Sequence, residues 1–192
     1  MRLKIYLAGP DVFLPDALEV GRAKQALCRD FGFEGLFPLD QGTDVAGDPE
    51  RIFHGNCRMM AAAYCGLANL SPFRGPGADG GTAFEVGYMH ALGRPVFGYA
   101  GVAADYAART AAAFGPLRCD ESGLRDRDGL LVEDFGLFDN LMLPSAIEAS
   151  GGELVVQAGG DGPALAAMAA FRACLERLAA RLTRGDARPD RP

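Results

Sequence analysis

Two carboxylates six residues apart, Asp79 and Glu85, bracket a glycine-rich turn in the run Asn69-Leu-Ser-Pro-Phe-Arg-Gly-Pro-Gly-Ala-Asp-Gly-Gly-Thr-Ala-Phe-Glu-Val-Gly87. Paired carboxylates beside one ligand suit a reaction at an acetal-like carbon, where one attacks as nucleophile and the other manages the leaving group's proton. A C–N or C–O glycosidic bond is the matching substrate class. Residues 66–70 read as a short buried strand, 74–81 hold too much Gly and Pro to be regular, and helical spacing resumes at Thr82. The pair therefore falls at the carboxyl end of a strand, where open α/β sheets keep their ligands. Gly81 and its neighbours let backbone approach a ligand closely.

Two other readings of this run stand beside the chemical one. Thr82-Ala-Phe-Glu85 is a capping box, in which the Thr hydroxyl and the Glu carboxylate satisfy helix N-terminal amides and nothing more. Gly75-Pro-Gly77-Ala-Asp79-Gly80 formally fits the dinucleotide pattern G-x-G-x-x-G. That fingerprint belongs to a first strand-helix unit with an acid closing the next strand, whereas here the next strand ends Val96-Phe-Gly-Tyr99. No P-loop lysine supports a triphosphate site either.

The elements that must position these residues alternate. Residues 2–8 form a first strand closed by Gly9-Pro10, followed by a helix at about 16–31, a strand at 33–39 and a helix at 49–64 with Ile52, Met59, Met60 and Ala63 on its apolar face. After the strand at 66–70 come a helix at 82–92 stopped by Gly93, a strand at 95–99 and a helix at 103–114. Residues 115–136 carry little periodicity and predict an ordered excursion or a mobile flap. Helical spacing returns at 139–150, 153–157 reads as a final strand or extended link, and 163–182 as an amphipathic helix opened by Pro163. Such alternation predicts a single α/β domain over residues 1–183, a mainly parallel, Rossmann-like sheet with helices on both faces. Residues 184–192 lack the apolar content to stay ordered.

Composition narrows the partners. A net charge of −6 argues against a nucleic acid, whose binding needs clustered Lys and Arg. No apolar stretch approaches the ~20 residues of a bilayer span and no signal-like segment opens the chain, so the expectation is a cytoplasmic protein without membrane attachment. Five cysteines (28, 57, 65, 119, 174), odd in number and without Cys-x-x-Cys, are expected to be reduced and mostly buried. His54 and His90 are too isolated to form a metal site or a nucleophile-base set.

Three blocks together carry a family resemblance: Tyr6-Leu-Ala-Gly-Pro-Asp-Val-Phe13, the Asn69–Gly87 run, and Val132-Glu-Asp-Phe-Gly-Leu-Phe-Asp-Asn140-Leu-Met-Leu143. They resemble the nucleoside 2-deoxyribosyltransferases. The resemblance implies a flavodoxin-like sheet, no cofactor, and transfer of 2-deoxyribose between nucleobases. It makes Glu85 the nucleophile at C1′, forming a deoxyribosyl ester that a second base resolves with retention and water resolves as a side reaction. Asp79 would contact the base and move its proton. Tyr6 matches a position that orients the nucleophile, although a core tyrosine reads equally well there.

Asn140 matches a position that reaches a neighbouring subunit's site and binds sugar hydroxyls, which implies a homo-oligomer. Asn56 stands where some members carry an acid, so the sugar contact there changes character. Phe13, Phe37, Asp40 and Gln41 are placed to stack on or hydrogen-bond a base, or simply to pack. Arg74 is either a substrate contact or an ion-pair partner. Gly9 and Gly81 complete the expected substrate contacts. Two rivals remain: a hydrolase of 2-deoxynucleoside 5′-monophosphates with the same nucleophile, and a non-catalytic nucleotide-binding module.

Overall fold

The computed structural model describes residues 2–41, 47–158 and 164–183. In chain order the strands are β1 (Leu3–Ala8), β2 (Phe33–Leu36), β3 (Cys65–Asn69), β4 (Val96–Ala100), β5 (Arg118–Asp120), β6 (Gly123–Arg125), β7 (Leu131–Val132) and β8 (Leu154–Val156). The helices are α1 (Ala17–Asp30), α2 (Pro49–Ala62), α3 (Gly80–Ala91), α4 (Tyr106–Phe114), α5 (Met142–Ala149) and α6 (Met168–Thr183). Five strands pair in parallel in the order β2-β1-β3-β4-β8, the flavodoxin-like arrangement. The order reverses between β1 and β3. Their connections leave in opposite directions, and a crevice opens at the carboxyl ends of those two strands.

Strand alternation sorts the core into two layers. Ile5, Leu7, Leu67, Phe97 and Tyr99 face Cys28 of α1 and Phe171 and Cys174 of α6. Tyr6, Ala8, Ala68 and Val96 face Met60 of α2, Val86 and Met89 of α3, and Ile147 of α5. Helices thus cover both faces, as a buried parallel sheet requires.

The departures from the sequence reading have local causes. β2 stops at Leu36 rather than residue 39, because Pro38 opens a 3-10 turn over Pro38–Gln41 that Asp40 fixes by accepting from the Phe37 amide at 3.0 Å. Ile52, expected on the apolar face of α2, is 38% exposed, while Met60 and Ala63 are buried. Residues 115–136 contain the antiparallel sheet β5-β6-β7. The last helix begins at Met168 after a 3-10 turn over Ala164–Ala166; Pro163 and the tail 184–192 lie outside the described residues. All five cysteines are free, with Cys28, Cys65 and Cys174 buried, Cys57 half-buried and Cys119 exposed. Among the described residues no helix is long and apolar enough to cross a membrane.

Candidate active site

Tyr6 is fully buried on β1, and its hydroxyl donates to Glu85 Oε1 at 2.5 Å. Glu85 is not part of a capping box. Asp79 is the N-cap of α3, its Oδ2 accepting from the Thr82 amide at 3.1 Å, so the helix starts at Gly80 and Thr82 lies inside it. Asp caps more strongly than Thr, and the helix takes the earlier start. Glu85 consequently sits in the second turn of α3, beyond reach of the N-terminal amides, and meets Tyr6 instead. Burial pushes its carboxyl up to about 7; the Tyr6 hydrogen bond opposes that rise, and the charge of Asp79 adds to it. Burial, followed by the neighbouring Glu85, holds the Tyr6 phenol far above its ordinary range, so it stays a proton donor.

Glu85 and Asp79 open into a cavity of about 390 Å³, lined also by Gly9, Phe13, Gln41, Asn56 and Gly81. That volume is within the usual span of small-molecule sites. Gln41 Nε2 donates to the Pro38 carbonyl at 3.1 Å and to Asn56 Oδ1 at 2.7 Å. Those bonds fix the orientation of both amides, and Asn56 Nδ2 has no protein partner among the described residues. Room for this pair depends on Gly55, where a Cβ would fall 1.5 Å from Gln41 Oε1. Phe13, 54% exposed, stacks on Phe73 with centroids 5.1 Å apart.

Arg74 does not line this cavity. Its guanidinium lies over the rings of Phe73 (4.7 Å) and Phe13 (5.3 Å), on a backbone with φ of 56°. Among the described residues it forms no ion pair, and its stacking on Phe13 places it beside the cavity wall. Phe37 is core: it is 2% exposed and packs where a Cβ on Gly21 would stand. Asp40 accepts from Gln25 Nε2 at 2.7 Å and holds the turn beneath the cavity wall instead of facing a base.

Asn140 belongs to a second cavity, of about 680 Å³, between α3 and α5 and lined with Val86, Tyr106, Met142 and Ala146. Its Nδ2 donates to Glu133 Oε1 at 2.7 Å, and neighbouring Asp139 pairs with Arg109 at 3.2 Å. Arg109 also donates to the carbonyls of Pro76 (2.7 Å) and Phe138 (2.6 Å), joining this segment to the glycine-rich turn. Within one chain, Asn140 and Glu85 do not share a cavity.

Sequence reasoning missed a buried polar set behind the crevice, Lys24 with Asp11, Asn69 and Tyr99. The signal was present. Lys24 sits four residues from both Val20 and Cys28, in the middle of the buried stripe of α1. Ile52 and Val12 on the cavity wall were also missed as site residues. Among the described residues, no three His, Cys, Asp or Glu side chains gather as a metal site.

With this geometry in place, the comparison with known proteins is specific. The family model for nucleoside 2-deoxyribosyltransferases matches residues 5–142, which include most of β1, the glycine-rich turn, α3 and Asn140. This chain belongs to that family. A 2-desoxiribosyltransferase from Leishmania mexicana is 31% identical, with a TM-score of 0.63 over 91% of this chain and 97% of that one. A Schizosaccharomyces pombe protein described only as uncharacterized is 32% identical over 195 residues, covering 93% of this chain and 89% of its own length. Family and fold support a glycosyl-transferring, nucleoside 2-deoxyribosyltransferase-like function, and nucleosides and nucleobases are substrates that fit it.

Proposed function

We propose that this protein transfers 2-deoxyribose between nucleobases by a double displacement on Glu85. The observation that carries the reading is a half-buried carboxylate with no capping duty, held by a phenol at 2.5 Å and opening into a cavity with a second carboxylate. An ionised Glu85 oxygen attacks C1′ of a bound deoxynucleoside; the C1′–N bond breaks, and its electron pair leaves with the base. Asp79 delivers the proton that the departing nitrogen needs. Its Oδ2 is engaged at the helix N-terminus, which leaves Oδ1 for the base. The resulting C1′ ester is then attacked by a nitrogen of a second base; the C1′–O bond breaks to restore the Glu85 carboxylate, the base's N–H proton passes to the Asp79 carboxylate left by the first step, and the configuration is retained overall. Water in place of that base gives slow hydrolysis.

Tyr6 acts as a positioning donor. Its hydrogen bond selects which Glu85 oxygen is free to attack, and stabilises the ionised form against burial. Phe13 supplies an apolar wall for a base, while Gln41 and Asn56 present a fixed amide edge. The described lining carries two carboxylates and no cation, which favours a neutral nucleoside over its 5′-monophosphate.

Asn140 completes the site of a neighbouring subunit in this reading, and the protein works as a homo-oligomer. Support comes from the rigid hold on the Asn140 segment by Glu133 and the buried Arg109–Asp139 pair, and from 67% exposure of Met142 beside it.

The test is chromatographic. Purified protein is incubated with deoxyinosine or thymidine, with and without adenine or cytosine, alongside dIMP and dCMP. A new deoxynucleoside appearing only with the second base supports transfer; base release from the monophosphates alone gives the hydrolase. Glu85→Ala separates both from a binding module, which would keep its ligand affinity and have no turnover to lose.

A further inference from the structure

Lysine is almost never fully buried unless paired, yet Lys24 is 1% exposed in the middle of the layer between α1 and the sheet. Its Nζ donates to Asp11 Oδ1 at 2.7 Å and to the Tyr99 hydroxyl at 2.8 Å, and lies 4.9 Å from the centre of the Tyr99 ring. Asp11 Oδ2 accepts from Asn69 Nδ2 at 3.2 Å; that amide also donates to the Leu165 carbonyl at 2.7 Å, and Asn69 Oδ1 accepts from the Ser71 amide at 3.0 Å. Ser71 Oγ in turn accepts from the Gly101 amide at 3.2 Å. One chain of bonds thereby ties together the carboxyl ends of β1, β3 and β4, the edge at which the Glu85 cavity opens.

None of these residues lines the cavity, and apolar groups of the same size would stabilise the layer as well as a buried ion pair does. What the pair adds is fixed geometry. Asp11 lies within the 3-10 turn Pro10–Phe13, and the residues around it, Gly9, Val12 and Phe13, form one wall of the cavity. The seat is tight: Gly9 has φ of 153°, and a Cβ there would fall 2.7 Å from Asn69 Cβ and 2.8 Å from Asp11 Oδ2.

We propose that Lys24 and Asp11 are positioning residues whose buried ion pair holds the Gly9–Phe13 wall at the distance from Glu85 that a bound nucleoside requires. The kinetic side of this rests on the transferase reading; the mechanical side does not.

The test compares Lys24→Met, Asp11→Asn and the double variant with wild type. Each single variant strands one polar partner and loses thermal stability, whereas the double variant leaves no lone buried charge and melts close to wild type. In that well-folded double variant, amide exchange at Val12, Phe13 and Leu14 is expected to accelerate about tenfold, and donor KM to rise about tenfold with kcat changed less than about threefold. A double variant with wild-type melting, exchange and KM makes the pair merely structural and overturns the proposal. Exchange is read without substrate, so a protein lacking transferase activity would still show the loosened wall; that outcome sinks the function and keeps the positioning role. Unchanged exchange in a fully active enzyme does the reverse.

Discussion

The two cavities beside α3 differ in a way that separates room from chemistry. The larger, at about 680 Å³ toward α5, is walled mostly by apolar and small side chains such as Val86, Leu143 and Ala146. The smaller, at about 390 Å³, holds two carboxylates and an amide pair whose orientations are set by neighbouring groups. Catalysis needs polar groups fixed before substrate arrives, in surroundings dry enough to strengthen their fields. Glu85, raised to about 7 by burial and steadied by Tyr6, meets that description. Met142, which lines the α5-side cavity, is 67% exposed. One short helix thus separates the group proposed to react from the region proposed to meet a second copy.

The sharpest way to break this contrast is to remove one polar group from each side. Glu85→Ala should lower kcat for transfer by at least about a thousandfold, while His90→Ala on the α5 side should change it less than about twofold. Comparable losses would mean that the cavities are not functionally distinct. The next effect joins them. Asn140→Ala alone should cost about a hundredfold in kcat/KM if its amide serves a neighbouring site. Mixing inactive Glu85→Ala and Asn140→Ala subunits of a two-fold dimer should then restore about a quarter of wild-type activity, because one site in each mixed dimer is intact. No recovery on mixing places Asn140 within its own chain's chemistry or outside chemistry altogether.

Tyr6→Phe has a smaller effect, and its signature lies in pH. In the proposed mechanism Glu85 attacks as the carboxylate, so activity should be lost as pH falls through about 7. The Tyr6 bond is the one contribution that lowers this value against burial and Asp79. Without it, the acid limb of kcat/KM should move up by about one pH unit. At pH 9 the variant should approach wild type to within roughly tenfold. An acid limb that stays in place would show that Tyr6 does not tune the nucleophile.

The parallel sheet was legible because buried strands, glycine stops and helical periodicity agree along residues 2–100. Asp79 and Glu85 were legible from type and spacing, but their helical roles were not. The pattern Thr82-Ala-Phe-Glu85 satisfies a capping box on paper, but Asp79 three residues earlier caps α3 by accepting from the Thr82 amide, and the meeting of Glu85 with Tyr6 of β1 is a tertiary contact that no local pattern carries. Lys24 was hidden by its charge. A lysine in an apolar stripe reads as an imperfection until Asp11, thirteen residues away, and Tyr99, seventy-five away, are seen to meet it. The sheet β5-β6-β7 was illegible for a different reason: strands of two or three residues fall below the length at which alternation can be detected.

The smallest effect is on stability, and it tests whether the Glu85 cavity is as dry as its pKa implies. A carboxyl whose folded value is raised from 4.5 to about 7 binds its proton more tightly in the folded chain than in the unfolded one. The Glu85 contribution to folding stability is therefore undiminished below about pH 4.5, declines as pH rises from there to about 7, and levels off above, with a total loss of about 3 kcal/mol. Glu85→Gln removes the ionisation, while its amide oxygen can still accept from Tyr6. The variant should melt above wild type at pH 8, by roughly 6–12 °C for a chain of this size, and the gap should close by pH 4.5. An apolar substitution on the α5 side has no titrating group to remove, so its effect on melting should not vary with pH. A gap that is the same at both pH values would mean that water reaches Glu85 freely, and the distinction between a dry polar site and a merely roomy one would fail at its central residue.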